Sequence, residues 1–189
     1  MLDLDGMKVM ELIAPDGFRD EEYAQTHAAL AGAKADVQVV STHKGVCHGK
    51  LGSVAHAHMT LDDAVNETWD CIVLIGGPGA TCYIDDERVE KIARTVAENG
   101  KVIAAICLAP VILSHAGLLD GVDATVFPDP SYEKDLEEHG AHLVKETVVV
   151  GKNNINGAPV VTGNGPDAAF AFGLELTNVL RGPADPFGL

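Results

Sequence analysis

The sequence predicts an α/β fold with a mainly parallel, doubly wound sheet covered by helices on both faces. Two observations carry this. Short β-branched runs alternate with stretches of helical periodicity along the whole chain, and the strand-like runs are apolar throughout, as in strands buried on both faces. A third is that glycine-rich or turn-forming segments follow several of those runs, where an open sheet needs loops.

The elements follow in order. Lys8 to Ala14 reads as a first strand, and Pro15-Asp16-Gly17 as a turn into a helix from about Asp20 to near Gly32. Val37 to Ser41 is a second strand. Residues 44 to 58 are rich in Gly and His and are compatible with short strands or a hairpin. Cys71 to Ile75 is a third apolar strand that ends in the tight loop Gly76-Gly77-Pro78-Gly79. Asp85 is placed to cap a helix, with Asp86 and Glu87 in its first turn, Val89, Ile92, Ala93 and Val96 on one face, and Gly100 just past its end. Val102 to Ile106 is a further buried strand. Pro110 suits a first helical turn, after which Val111, Ile112, His115 and Leu118 recur at helical spacing. Asp123 to Phe127 is expected as a strand and Ser131 to His139 as a short polar helix. Val148 to Val150 and Pro159 to Thr162 flank Asn153 to Gly157 as late strands. Residues 163 to 166 open a last helix with Phe170, Leu174 and Thr177 on one face. The Pro/Gly-rich stretch from Gly182 to Leu189 is expected to be a loose tail.

The length of 189 residues suits one domain spanning 1–189, without repeat or linker. Hydrophobic residues make up 47% and charged residues 22%, which argues against disorder. The 28 acidic and 13 basic residues leave a formal charge of −15, which repels nucleic acid and anionic membranes. Such a charge serves a well-solvated surface or adaptation to high salt. Cys47, Cys71, Cys82 and Cys107 form no C-x-x-C pair, so they read as reduced intracellular thiols. The acidic start MLDLDGMK is unlike a signal peptide, and no apolar run reaches membrane-spanning length, so a cytoplasmic location is expected.

Chemistry is expected at the carboxyl ends of the strands. Cys107 stands at a strand-to-helix turn like the elbow that exposes a nucleophile above an α/β sheet. There the helix N-terminus should favour thiolate and lower the cysteine pKa. Burial as an inert thiol is the competing expectation. Glycines 76 and 77 allow close approach, so the backbone N–H groups of Gly77 and Leu108 are candidate oxyanion donors. The GGPG loop matches neither a P-loop nor a dinucleotide fingerprint, and no cofactor is expected. His43, His48, His56 and His58 cluster with Cys47. A metal site from Cys47, His56 and His58 rests on a weak H-x-H pattern, so no metal is expected there. Cys71 and Cys82 are expected in the core, with Cys82 near the pocket.

Four segments together, IGGPGA at 75–80, AAICLAP at 104–110, GFRDEE at 17–22 and VVTGNGPDAAFAFGLEL at 160–176, resemble the ThiJ/PfpI family, also called the DJ-one/PfpI family. The resemblance implies a flavodoxin-like three-layer sandwich related to class I glutamine amidotransferases, a cytoplasmic homodimer or larger homo-oligomer, and a reactive cysteine at Cys107. Its partner glutamate falls on Glu22, with Glu21 as the register alternative; in the family this carboxyl is protonated and donates to the thiolate. Three departures stand out. Leu108 and Phe127 occupy positions where family members carry a histidine, and Asn164 replaces a frequent arginine. The resemblance implies a stress-associated protein in which Cys107 and Glu22 act on reactive carbonyl or acyl substrates, small molecules or peptides, as a glyoxalase- or deglycase-like enzyme or a protease- or amidase-like hydrolase. The alternative is an oxidation sensor or chaperone that uses Cys107 sulfinic acid.

Overall fold

The computed structural model describes residues 3–182. In chain order it has β1 (Lys8–Leu12), β2 (Asp16–Phe18), α1 (Asp20–Gly32), β3 (Asp36–Ser41), β4 (Gly45–Gly49), β5 (Val54–Ala57), β6 (Met59–Thr60), α2 (Leu61–Ala64) and β7 (Cys71–Leu74). There follow α3 (Glu87–Glu98), β8 (Val102–Ile106), α4 (Pro110–His115), β9 (Asp123–Ala124), α5 (Pro130–Glu138), β10 (His142–Leu143), β11 (Val148–Lys152), β12 (Pro159–Gly163) and α6 (Ala169–Arg181).

Seven strands form one sheet in the order β11-β12-β8-β7-β1-β3-β6. Every neighbouring pair is parallel except β11–β12 at one edge. Both β7 and β8 are buried at every position, as expected of inner parallel strands covered on two faces. Helix α1 packs on α6, while α3 touches α2 and α4, and α4 touches α5, giving one helical layer on each side of the sheet. The fold is therefore a flavodoxin-like α/β sandwich.

Strand order reverses at β1, which sends β3 to one side and receives β7 on the other. Leu12 pairs with Leu74, and Leu74 with Ala105, so the loops after β1, β7 and β8 leave the sheet along one edge. Ligands bind at such a switch point in open α/β sheets. Beside it, β2, β4 and β5 form a small sheet in which β4 and β5 are the hairpin anticipated within residues 44–58.

Several expectations need correction. Asp86, not Asp85, caps α3: Asp86 accepts the Arg88 N–H at 2.9 Å, while Asp85 takes a left-handed φ of 60° and turns its carboxylate to His115. The strand expected over 123–127 stops at Ala124, because Thr125 N–H bonds the Thr162 hydroxyl and Phe127 N–H bonds the Cys107 carbonyl. Helix α4 ends at His115, so Leu118 is buried from a loop and not from the helix. On α6, Phe170 and Leu174 face outward, and the buried face is Phe172, Gly173, Leu176, Thr177 and Leu180. Cys82 is exposed, although Cys71 is in the core as expected. The tail expected over 182–189 lies, beyond Gly182, outside the described residues. Among the described residues no helix is long and apolar enough to cross a membrane.

Candidate active site

Cys107 directly follows β8 and adopts φ 65°, a left-handed conformation that costs energy in any residue with a Cβ. Two hydrogen bonds hold the turn. Its N–H donates to the Gly163 carbonyl at 2.9 Å, and its carbonyl accepts the Phe127 N–H at 2.7 Å. The elbow is thus clamped by β12 and by the chain leaving β9, and Cys107 is 7% exposed.

Glu22 reaches this point from the first turn of α1. That turn begins after Arg19 and is fixed to the β4–β5 hairpin by Asp20, whose carboxylate accepts the N–H groups of Leu51 and Ser53, each at 2.8 Å. Glu22 is fully buried; its Oε2 accepts the Gly76 N–H at 2.9 Å, and the carboxyl faces the Cys107 thiol. Oε1 is buried with no nitrogen or oxygen partner among the described residues. Glu21 instead pairs with Arg19 at 2.8 Å, and Glu22 is the carboxyl that neighbours Cys107.

The glycine loop is shaped by the same packing. A Cβ on Gly76 would stand 2.5 Å from Cys107 Cβ and 2.7 Å from Glu22 Oε2, so only glycine lets the thiol and the carboxyl meet. Gly77 has φ 100°, which aims its N–H at the sulfur alongside that of Leu108. The four residues singled out from sequence, Cys107, Glu22, Gly77 and Leu108, therefore converge.

Electrostatics departs from the sequence expectation at the sulfur. Burial, then the neighbouring Glu22 charge, push the Cys107 thiol up, and the N–H groups of Gly77 and Leu108 only partly offset this. The six-residue helix α4 does not outweigh the loss of water. Burial also raises Glu22 from its ordinary 4.5 to about 7, against the pull of the Cys107 thiol, the Gly76 N–H and the Arg19 charge. Physically, two adjacent buried acids resist carrying two negative charges, so the pair gives up its first proton near neutrality and keeps the second, shared between them, at higher pH.

Arg19 went unnoticed in the sequence. Its charge is close enough to act on both Glu22 and Cys107, so it supplies positive potential that Asn164 does not. The available signal was a lone basic residue directly before the acidic turn. Asn164 N–H bonds the Thr147 carbonyl. Phe127, at a position where the resemblance implied a histidine, packs its ring against Gly165. The Cys47, His56 and His58 metal alternative fails on alternation: Cys47 points into the core, His56 points to solvent, and His58 Nδ1 accepts the Val39 N–H at 3.2 Å. A separate cleft of about 540 Å³ lies at the amino ends of the strands, lined by Lys8, Trp69, Asp70 and Lys101, at the opposite edge of the sheet from Cys107.

Residues 7–179 match the model of the DJ-1/PfpI family. The chain belongs to the DJ-1/PfpI family. It is 37% identical over 175 residues to an uncharacterized protein of Methanocaldococcus jannaschii, covering 92% of this chain and 82% of that one. It is 29% identical to a deglycase of Thermococcus kodakarensis, over 93% of this chain and 100% of that protein. Among solved structures, a ThiJ/PfpI domain protein from Brachyspira murdochii superposes with a TM-score of 0.83 at 28% identity, over 94% of this chain and 98% of the other.

Proposed function

We propose that this DJ-1/PfpI family protein is a cysteine-dependent enzyme acting on small reactive carbonyl compounds, in the manner of a glyoxalase or deglycase. The observation that carries the reading is the buried Cys107–Glu22 pair, in which a carboxyl raised to about 7 faces a thiol on a strained elbow. A base whose pKa lies near the working pH transfers protons most effectively in both directions. The names of relatives favour the same class: one is a deglycase, and one from Caenorhabditis elegans is a glutathione-independent glyoxalase.

In this proposal the Cys107 sulfur adds to the aldehyde carbon of an α-oxoaldehyde such as methylglyoxal while its proton passes to Glu22. The resulting oxyanion lies against the N–H groups of Gly77 and Leu108, with Arg19 adding positive potential. Glu22 returns the proton to that oxygen, giving a hemithioacetal. As carboxylate again, it removes the proton from the carbon that bears sulfur; the enediolate so formed passes its hydroxyl proton to the neighbouring oxygen through the other oxygen of the same carboxyl, and Glu22 delivers the abstracted proton to the neighbouring carbon. The product is a thioester, which water cleaves to lactate and free thiol. Glu22 performs each transfer, which removes the need for a histidine at Leu108 or Phe127. The homo-oligomeric state belongs to the same proposal and is measured by sedimentation.

The test is lactate formation from methylglyoxal by wild type, Cys107→Ser and Glu22→Gln. Turnover in wild type, abolished by the first change and reduced roughly 10²–10⁴-fold by the second, is expected. No turnover in wild type overturns the enzyme. The apolar Leu108 and Phe127 favour a second reading, an oxidation sensor in which two equivalents of peroxide convert the thiolate to sulfinate and release two waters. A mass gain of two oxygens confined to Cys107, without turnover, distinguishes it.

A further inference from the structure

At the far end of α4 from the elbow, two imidazoles and a carboxylate converge outside the Cys107 site. His115 ends α4, whereas Asp135 and His139 stand at i and i+4 on α5 and its C-terminal cap, so they share one face of that helix. One ligand atom from each of these residues lies within 4.8 Å of the other two. We propose that His115, Asp135 and His139 bind one divalent transition-metal ion of the zinc type, with Asp85 holding His115 in place.

Three observations converge on this. His115 Nδ1 lies 2.8 Å from Asp85 Oδ1, and its Nε2 lies 3.0 Å from Asp135 Oδ2. A carboxylate on Nδ1 fixes a proton there, the usual support for a metal-bound histidine, while Nε2, which also faces a carboxylate, releases its proton to solvent as the ion binds. Asp135 presents its second oxygen to the other imidazole: Oδ1 is buried, makes no hydrogen bond, and faces His139 Nδ1 at 3.4 Å. A buried oxygen without a donor carries a desolvation cost that a cation would relieve. The two imidazole rings are stacked with centroids 4.4 Å apart, so His139 must turn out of the stack for both in-plane lone pairs to meet one ion.

The donor set decides the class of ion. Two imidazole nitrogens and one carboxylate oxygen suit Zn²⁺ and its neighbours, whereas Mg²⁺ and Ca²⁺ take oxygen ligands. Three protein ligands leave a fourth tetrahedral position for water. To ligate through Nδ1, His139 gives up its 2.9 Å contact with the Asp135 carbonyl and carries its proton on Nε2. The ion would tie α5 and the chain before α3 to the end of α4, the helix that follows the Cys107 elbow. It would act as a clamp behind the nucleophile and not as a participant in the chemistry.

The experiment uses the full chain, stripped with EDTA and titrated with Zn²⁺ by calorimetry and with Co²⁺ by visible absorption. One equivalent should bind, and the Co²⁺ spectrum should show tetrahedral bands without a thiolate charge-transfer band. His139→Ala, on the exposed side of the cluster, should abolish saturable binding, and Asp85→Asn should weaken it about 10–100-fold. A Cys107→Ser control and a His48→Ala/His56→Ala control should bind as wild type does. Absence of saturable binding to wild type overturns the proposal. So does binding that survives His139→Ala or is lost in either control.

Discussion

The proposed chemistry turns on one proton exchanged between Glu22 and Cys107. Glu22 is charged only at an energetic cost in the fold, since burial lifts its pKa from 4.5 to about 7. A carboxyl whose folded pKa is raised contributes stability that is present below its unfolded value and lost as pH climbs through the folded one. The fold should therefore lose on the order of 2–3 kcal/mol between about pH 4.5 and 7 from this group. Glu22→Gln should flatten that part of the curve and be the more stable protein at pH 8, as chemical denaturation at both pH values will measure. Much of this pair was legible in the sequence: Cys107 from its place between an apolar strand and Pro110, Glu22 from the resemblance. Two things were not. The choice between Glu21 and Glu22 depends on which side chain Arg19 captures, and the direction of the Cys107 shift depends on burial that no local motif encodes.

Among the elements, α1 matters most because it carries Glu22. Beneath it, the fully buried Glu11 of β1 meets His27 of α1 at 2.7 Å. The hydrogen bond and charge of Glu11 raise the His27 pKa, while burial pushes Glu11 up against the opposing pull of His27. His27 thus stabilises the fold fully below its unfolded pKa of 6.5, and this contribution is lost as pH rises through its higher folded value. His27→Ala should destabilise the protein by roughly 1–3 kcal/mol at pH 6 and by less at pH 9, read from paired denaturation curves. Equal losses at the two pH values would count against the pairing. Sequence periodicity located α3, continuous apolar runs located the inner strands, and the turn at Pro15-Asp16-Gly17 located α1, whose buried face is Glu22, Thr26 and Leu30. Periodicity misread α6, where Phe170 and Leu174 are exposed and the small Gly173 faces α1, because helix packing at close approach favours small residues over large ones. The α3 cap was placed one residue early, at Asp85, whose backbone is left-handed and whose carboxylate faces His115.

At the scale of the whole molecule, alternating apolar strands and helices predicted the parallel sheet, and the site lies where the strand order reverses between β1 and β7. What local pattern could not supply was the order of strands, or which loops meet at that edge. The net charge of −15 is a property of the same scale. Unmatched like charges repel in the compact state and are screened within a Debye length of about 10 Å at 0.1 M salt. The melting temperature should therefore rise as salt is increased from low to moderate concentration; a fall would show that surface ion pairs outweigh the excess negative charge. The account as a whole rests on Cys107 and Glu22 exchanging one proton, and the rate of Cys107 alkylation by iodoacetamide as a function of pH tests it most directly. The wild-type rate should rise with an inflection near pH 7, as Glu22 becomes able to take the thiol proton, and in Glu22→Gln that inflection should vanish and reactivity should wait for higher pH. Superimposable profiles for the two proteins would contradict the shared proton and the mechanism built on it.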